Sequence, residues 1–563
     1  MDARYGRIQS RQSVRRLRWR ELVGRSAPHH PFCEPPVSVR VITQPLGGAP
    51  LAAAAISGST PRGWYESIPS NRSAWQARIE SVRSGFAEDW LTGLAPAFDA
   101  TGKAKSRLEA VRSGSGVVVT TGQQPGLFGG PIYTLSKALS ALALADTLEE
   151  STGIPVAPVF WAATDDTDFR EASSTVVAVP GGAQLLRIDH VETLGRTMAS
   201  MPLGDVSVQL EALTRAAGST LDPVPIELLE RFYGGEQTVG SAYVAFLRAL
   251  FAPFGIAVID ASHPATRAAA KPVLLAALGK AADLAARLSA RNREIEQTGF
   301  AAQVQDVPGL SLVFTSGSGG RKRIPIKAAA KSAASDDMGP NVLLRPVVER
   351  AILPTAMYIG GPAEIAYFAQ VSPVADGLGL ARPAIAPRWS CTILEPHVDK
   401  ILDRLGLQSD DLREPHEAEA RVARGRLPKR VLEELDATRG FLEERLEELS
   451  EAIGETHTPV PTTVTAGLRA NLMRRLDRFE RRLIAAAKKQ NADVMHEIAT
   501  ARGSLYPFGK RQERTLNFVP LLARYGAELR DAMLAQARLH ATGLLTGGEA
   551  VDLEVAGTGR TRS

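Results

Sequence analysis

The residues best suited to chemistry lie in two short stretches of the chain. Residues 120–131 read TTGQQPGLFGGP, and residues 164–169 read TDDTDF. Glycine lets a ligand approach the backbone closely, and carboxylates bind divalent ions or accept protons. These stretches therefore predict a site for a small polar ligand. Their candidate residues are Gly122, Gln123, Gln124, Gly126, Gly129 and Gly130 in the first, and Asp165, Asp166 and Asp168 in the second.

Each stretch follows an apolar run that predicts a strand. Residues 117–120 and 156–161 carry no charge, which is typical of strands covered on both faces. Pro131 stands at a favoured first-turn position, and residues 132–150 carry leucines at helical spacing. Two parallel strands joined by a crossover helix end at the same edge of the sheet. The glycine stretch and the carboxylates are therefore expected side by side, where open α/β sheets bind ligands.

The loop differs from the standard phosphate-binding loops. Neither G-x-x-x-x-G-K-[ST] nor G-x-G-x-x-G is present. The free N–H groups at the start of the following helix still favour an anion. A tight structural turn is the alternative interpretation.

A second strand, Gly-Gly-Pro turn and helix is expected at residues 355–370. Gly360 and Gly361 form the turn, and Glu364 falls in the first helical turn, where an acid also simply offsets the helix dipole. Arg388 follows a further predicted strand and can grip a carboxylate or phosphate with two hydrogen bonds. Residues 311–326 predict a hairpin turning at Gly319-Gly320. Its basic residues 321–323 could contact an acidic substrate, but a solvated turn is the preferred interpretation.

The C-terminal part changes character from about residue 396. Leucine stripes within 432–453 and 468–498, separated by prolines, predict two long helices in an antiparallel coiled-coil hairpin. Residues 506–517 are polar and are expected to pack back on the sheet domain. They either complete the site or supply a helix cap and interdomain ion pairs.

Composition excludes several classes of protein. No uncharged apolar run of about 18 residues is present, so no membrane span is expected. Residues 1–25 hold eight arginines and two acids, leaving 58 basic against 59 acidic residues, so nucleic acid is not the expected partner. Two cysteines exclude a disulfide framework and suit a reducing cytoplasm. Scattered histidines indicate no His/Cys metal site.

Longer segments resemble the BshC family, to which the cysteine-adding step of bacillithiol biosynthesis is ascribed. They read TTGQQPGLFGGPIYTLSKAL, PVFWAATDDTDF, NVLLRPVVERAILPTAMYIGGPAEIAYFAQ, PAIAPRWSCTILE and YPFGKRQERTLNF. The resemblance covers roughly residues 40–535 in the family's order. One departure is Thr167, where the family usually has a histidine.

The resemblance implies an α/β fold, with a Rossmann-like parallel-sheet core carrying insertions and a C-terminal coiled-coil arm. It also implies a cytoplasmic ligase that joins cysteine to the amine of glucosaminyl-malate, with ATP and Mg²⁺ as hypothetical cofactors and a homodimer formed through the coiled coil. The candidate catalytic residues are then Asp165, Asp166 and Asp168. The candidate binding residues are Thr121, Gly122, Gln123, Gln124, Gly126, Gly129, Gly130, Tyr133, Lys137, Gly360, Gly361, Glu364, Arg388, Gln512, Glu513, Arg514 and Asn517.

Two other functions stay open at the level of sequence. Asp166 and Asp168 form a D-x-D string, which predicts a metal-dependent glycosyltransferase that uses a nucleotide sugar. The coiled coil alone is compatible with a non-catalytic scaffold.

The expected domain boundaries follow these changes in pattern. Residues 1–38 are a disordered basic extension, and 39–395 are the catalytic core, with about 180–250 as an inserted subdomain. Residues 396–500 form the coiled-coil arm, 501–545 a helical segment that returns to the core, and 546–563 a disordered tail.

Overall fold

Strands and helices alternate along the first part of the chain, and helices dominate its C-terminal part. The computed structural model describes residues 38–87, 89–188, 195–317, 320–329, 337–414, 416–456, 459, 461 and 463–547. The strands are β1 (Arg40–Thr43), β2 (Val117–Gln123), β3 (Val156–Ala162), β4 (Ser174–Val179), β5 (Gly182–Arg187), β6 (Ala257–Asp260), β7 (Leu310–Gly317), β8 (Gly320–Pro325), β9 (Met338–Pro340), β10 (Thr355–Gly360), β11 (Ile385–Pro387) and β12 (Cys391–Leu394). The helices are α1 (Pro50–Ile56), α2 (Arg72–Arg83), α3 (Trp90–Phe98), α4 (Gly102–Ser113), α5 (Ile132–Thr152), α6 (Phe169–Ala172), α7 (Ser207–Ala217), α8 (Val224–Phe232), α9 (Val239–Phe251), α10 (Pro264–Gly279), α11 (Ala281–Gln297), α12 (Arg345–Ile352), α13 (Pro362–Leu378), α14 (Pro396–Leu405), α15 (Glu417–Gly425), α16 (Lys429–Glu455), α17 (Thr463–Gln490), α18 (Ala492–Leu505) and α19 (Val519–Leu545).

Some sequence predictions fall outside these residues. They are the basic extension as far as residue 37, the tail from residue 548 and Gly319 of the predicted hairpin turn.

A five-stranded sheet lies at the centre of the core. Its order is β11-β10-β2-β3-β6, and every neighbouring pair is parallel. Gly122 pairs with Trp161 and Gln123 with Ala162, so β2 and β3 end together. The structure confirms the predicted Rossmann-like parallel sheet and the common edge for the two chemistry-bearing loops.

Helices cover both faces of this sheet. On β2, Val117 and Val119 join the hydrophobic cluster that contains α5, whereas Val118 joins the cluster that contains α3 and α4. This alternation explains why residues 117–120 are apolar at every position except the terminal threonine. Burial on both faces removes the polar face that a one-sided strand would carry.

The crossover helix α5 is more deeply buried than its sequence suggests. Besides its leucines, Ser136, Lys137 and Ser140 are buried. The long helix α19 packs along α5, and the short turn at residues 512–514 lies against it as well. The C-terminal segment therefore covers the face that an amphipathic surface helix would expose.

Two additions flank the sheet. The hairpin β4–β5 and helices α7–α9 lie between β3 and β6 in the chain. A separate three-stranded antiparallel sheet, in the order β8-β7-β9, follows α11. This second sheet carries arginines toward the carboxyl edge of the central sheet.

Helices α16 and α17 form the predicted antiparallel hairpin. Arg439 of α16 pairs with Asp477 and Glu480 of α17, and Glu447 pairs with Arg469 nearer the tip. Most of the hairpin is exposed, and in α16 only Leu435 and Leu446 are buried. None of the helices in the described part of the chain is long and apolar enough to cross a membrane.

Candidate active site

A cleft of ≈ 580 Å³ opens at the carboxyl edge of the central sheet. Its walls come from the ends of β2, β3 and β10, from the first turns of α5 and α13, and from the β7–β8 hairpin. Eleven of the residues predicted from sequence line it: Gly122, Gln123, Gln124, Tyr133, Lys137, Asp165, Asp166, Gly361, Glu364, Arg388 and Arg514. The other predicted residues lie outside the lining: Thr121, Gly126, Gly129, Gly130, Asp168, Gly360, Gln512, Glu513 and Asn517.

Lys137 and Glu364 form a buried ion pair in the wall of the cleft. The Lys137 Nζ lies 2.5 Å from Glu364 Oε2 and donates to Gly122 O at 2.8 Å and to Gln123 Oε1 at 3.0 Å. Burial lowers the pKa of Lys137, and the Glu364 charge offsets part of that effect. Burial raises the pKa of Glu364, but the Lys137 charge and the hydrogen bonds that Glu364 accepts bring it below its ordinary value.

Glu364 also closes the N-terminus of α13. Its carboxylate accepts the Gly361 N–H at 2.6 Å and the Tyr358 hydroxyl at 2.5 Å. The contacts thus support the interpretation in which this acid offsets the helix dipole. At the start of α5, the Ile132 N–H likewise donates to Leu516 O, so one backbone N–H at each helix start is satisfied by the chain itself.

The three aspartates of the acidic loop point to different partners. Asp165 Oδ2 pairs with Arg321 at 3.2 Å. Asp166 accepts the Gln124 amide at 2.7 Å and the Asp168 N–H at 2.8 Å. Asp168 caps α6 by accepting the Glu171 N–H. The two D-x-D carboxylates therefore have different partners.

The predicted glycines outside the cleft have packing roles. A Cβ at Gly129 would lie 2.7 Å from the ring of Phe246, and the residue adopts φ +87. A Cβ at Gly360 would lie 2.5 Å from Ile385. These positions require glycine for close packing rather than for the approach of a ligand.

The C-terminal segment is held to the sheet by buried polar contacts. Arg388 grips Glu513 with two hydrogen bonds of 2.8 Å, and each side chain is only 3% exposed. Gln512 bonds the backbone of Ile393 in both directions, and Asn517 donates to the carbonyl of Phe128. The alternative of structural ion pairs and caps holds for these residues, and Arg388 already holds a carboxylate of its own chain.

Sequence reasoning missed several residues that line the cleft. For Arg321 the preferred interpretation as a solvated turn is wrong, because its side chain is only 10% exposed and donates to the Asp165 and Pro340 carbonyls. The other missed polar lining residues are Glu171, Arg323, Asn341, Arg345, Tyr358 and Tyr367, together with Thr167 of the acidic loop. The arginines of the β7–β8 hairpin could have been assigned to the cleft only if the sequence had placed that hairpin at the edge of the central sheet.

Arg345 and Glu349 continue the polar network beneath the cleft. Arg345 pairs with Glu349 at 3.0 Å and contacts the hydroxyls of Tyr358 and Tyr367. Glu349 accepts the Thr120 hydroxyl at 2.5 Å. Burial raises the pKa of Glu349 above its ordinary value, although Arg345 opposes the shift.

No group of three His, Cys, Asp or Glu side chains could hold a metal ion within the described ranges. The cleft instead combines cations with carboxylates, which suits an anionic ligand that also carries an amine.

Comparison with known proteins assigns the family. The family model for the N-terminal Rossmann-like domain of bacillithiol biosynthesis BshC matches residues 59–332 and 326–389, and the model for the C-terminal coiled-coil domain of BshC matches residues 391–543. The chain belongs to the BshC family. This confirms both the resemblance and the predicted combination of a Rossmann-like core with a coiled coil.

Three curated relatives of this BshC chain carry the name "Putative cysteine ligase BshC". The Solibacter usitatus protein is 30% identical over 85% of this chain and 93% of its own length. The Koribacter versatilis protein is 31% identical over 78% and 85%, and the Salinibacter ruber protein 29% identical over 76% and 82%. The name of these BshC relatives favours ligase over the glycosyltransferase and scaffold alternatives.

Proposed function

We propose that the protein is a ligase that joins the carboxyl group of cysteine to the amine of glucosaminyl-malate in bacillithiol biosynthesis. Family membership and the name of the relatives support this assignment. The structural observation that carries it is the cleft at the sheet edge, where guanidinium groups and carboxylates meet in a volume of ≈ 580 Å³. That volume is suited to a small-molecule substrate.

The charges of the cleft suit a substrate with two carboxylates and an amine. Among the described residues, Arg514 lies at the cleft without a carboxylate partner, and Arg323 donates to the backbone carbonyls of Ser311 and Leu310. Guanidinium groups bind carboxylates with two parallel hydrogen bonds. A malate carboxylate would therefore be held by Arg514 and the amine by the acidic loop.

The proposed reaction also consumes a nucleoside triphosphate such as ATP, together with Mg²⁺. It would supply the leaving group that makes the cysteine carboxyl reactive. Arg323 fits an anionic phosphate, because a guanidinium group binds phosphate with two parallel hydrogen bonds as it does a carboxylate. Mg²⁺ in sites of this class is coordinated largely by phosphate oxygens and water, and it would enter the cleft with the nucleotide.

The test is an incubation of the purified protein with cysteine, glucosaminyl-malate and ATP, followed by mass spectrometry. The expected result is the amide-linked thiol together with AMP or ADP. A parallel incubation uses UDP-sugars. Turnover of the nucleotide sugar without consumption of cysteine would instead identify the protein as a glycosyltransferase.

Arg514→Ala is expected to raise the KM for glucosaminyl-malate about 10- to 100-fold, since a hydrogen bond to a charged group contributes about 1.5–3 kcal/mol. The KM for cysteine should stay unchanged. Steady-state kinetics measure both values, with Arg112→Ala, at an exposed arginine of α4, as control. An unchanged KM for glucosaminyl-malate would remove Arg514 from the binding of this substrate.

A second copy of the chain is the proposed partner of the coiled-coil arm. Phe441 is 58% exposed on α16 and Phe479 53% exposed on α17. Helix α16 carries nine acidic and four basic residues, whereas α17 carries eight basic and two acidic ones. Two hairpins related by a two-fold axis can match these opposite charges and cover the apolar side chains.

Phe479→Asp is expected to convert the dimer into a monomer, because it places a charge in an apolar interface. Sedimentation equilibrium measures the mass. Val208→Asp, at a side chain 68% exposed on α7, is the matched control and should leave the dimer intact. A wild-type protein that sediments as a monomer at micromolar concentration would contradict the proposed dimer.

A further inference from the structure

We infer that Glu171 is the general base that removes the proton from the attacking amine, whereas the catalytic candidates predicted from sequence were the aspartates of the neighbouring loop. The inference rests on the proposed ligase function. Glu171 lies in α6, the short helix that follows the acidic loop, and its side chain lines the cleft.

The other cleft carboxylates are already engaged. Asp165 is paired with Arg321. Glu364 is paired with Lys137 and accepts two further hydrogen bonds. Asp166 accepts donors on both oxygens, from Gln124 and from the backbone of its own loop.

Glu171 differs from all three. Within the described residues its carboxylate has no cationic partner, and the Tyr133 hydroxyl, at 3.1 Å from Oε1, is its side-chain donor. Oε2 is thus available to accept a proton from a bound molecule. An ion-paired carboxylate is a weaker base because the neighbouring cation stabilises its charged form.

A short relay fixes the orientation of the Glu171 side chain. Lys137 donates to Gln123 Oε1, Gln123 Nε2 donates to the Tyr133 hydroxyl at 3.2 Å, and that hydroxyl donates to Glu171. Tyr133 is therefore a positioning residue. The relay connects the end of β2 to α6 along one wall of the cleft.

The environment also tunes the basicity of Glu171. Burial raises its pKa above the ordinary value, and the charges of Asp168 and Asp166 add to the increase. The Tyr133 hydrogen bond and the charge of Lys137 oppose it. A base whose pKa is raised toward the working pH accepts a proton more effectively.

The proposed step is balanced within the acyl transfer. The neutral amine nitrogen attacks the carbonyl carbon of the activated cysteine, forming the C–N bond. The bond from that carbon to the phosphate oxygen breaks, and the leaving group departs with the electron pair as AMP or phosphate. The surplus proton on nitrogen passes to Glu171, which returns it to water after product release.

The test separates activation of cysteine from transfer to the amine. Glu171→Gln is expected to lower the rate of amide formation about 10²- to 10⁴-fold, the range for loss of a general base. Hydroxylamine is a nucleophile that is neutral at pH 7 and needs less help from a base. Formation of cysteine hydroxamate should therefore stay within about threefold of wild type. Glu227→Gln, at an exposed acid on α8, is the control.

Each outcome decides one proposal. A wild-type protein that forms neither the amide nor the hydroxamate would overturn the ligase function itself. If wild type forms the amide and Glu171→Gln forms it equally fast, Glu171 is not the base. Loss of both products in a folded Glu171→Gln protein would place Glu171 in substrate binding or activation instead, which also overturns the inference.

Tyr133→Phe supplies an independent readout if Glu171→Gln does not fold. Removal of the Tyr133 hydroxyl removes a hydrogen bond that favours the charged carboxylate, so the pKa of Glu171 should rise further. The acid limb of the pH profile of kcat/KM for amide formation is then expected to move to higher pH. An acid limb that does not move, or that moves to lower pH, would contradict the assignment.

Discussion

Replacement of Lys137 by methionine is expected to lower the free energy of unfolding by about 3–5 kcal/mol, because it leaves the Glu364 carboxylate buried without its cation. The ammonium group also holds the Gly122 carbonyl and the Gln123 amide in the cleft wall. Displacement of such groups by about 1 Å can cost about 10² in rate. Urea denaturation and the ligation assay measure the two effects.

A second substitution separates stability from activity. Glu364→Gln in the Lys137→Met background removes the uncompensated charge, so most of the lost stability should return, while the ligation rate stays low because the wall is no longer held. A Lys137→Met protein as stable as wild type would show that the pair is not energetically coupled. Full activity in the double variant would show that Lys137 does not organise the cleft.

Arg388→Met is expected to destabilise the protein by a similar amount, about 3–5 kcal/mol. Arg388 is the cation that neutralises Glu513, and the pair holds the segment that leads into α19. Arg388→Met with Glu513→Gln should recover much of the loss, since the amide still accepts the Ser390 hydroxyl. Thermal unfolding of the four proteins completes a double-mutant cycle.

The pH dependence of this pair has a definite sign. Burial alone would raise the pKa of Glu513, but Arg388, Ser390 and the Cys391 N–H hold it below the ordinary value. The stability contributed by the pair is therefore present above the ordinary carboxyl pKa and is lost as pH falls through the depressed one. The difference between wild type and Arg388→Met should be larger at pH 7 than at pH 3. A constant difference would contradict the ion pair.

Local pattern was sufficient to predict the central part of the site. Strands β2 and β3 are uncharged over their central residues, and the right-handed crossover rule then places Gln124 and Asp166 at one edge. In the structure these side chains are hydrogen-bonded. The turn before α13 was predicted for the same reason, because Gly-Gly-Pro and an early Glu are strong local signals.

The rest of the site depends on contacts between segments that are distant in the sequence, and local patterns do not predict such contacts. Arg321 reaches Asp165 from a separate antiparallel sheet, and no periodicity in the sequence gives the orientation of that hairpin. In the sequence, Glu513 resembles a surface charge. Its ion pair with Arg388 forms only because the C-terminal segment returns to the sheet domain. The full burial of α5 was not predicted either, because α19, the helix that packs along it, lies far along the chain.

The glycines show where a local rule was over-applied. A glycine-rich loop was taken to cradle a ligand, yet Gly129 is required by the rings of Phe246 and Phe518. Both uses depend on the missing side chain. Only the packing around the loop distinguishes between them.

Hydrogen–deuterium exchange of the full-length protein, with and without glucosaminyl-malate, tests the central claim most directly. If the ends of β2, β3 and β10 surround one substrate site, peptides covering residues 122–133, 163–172 and 360–367 should exchange more slowly with ligand present. Exchange in the distal part of the α16–α17 hairpin should stay unchanged. Protection confined to the hairpin, with no change at the three strand ends, would contradict the account.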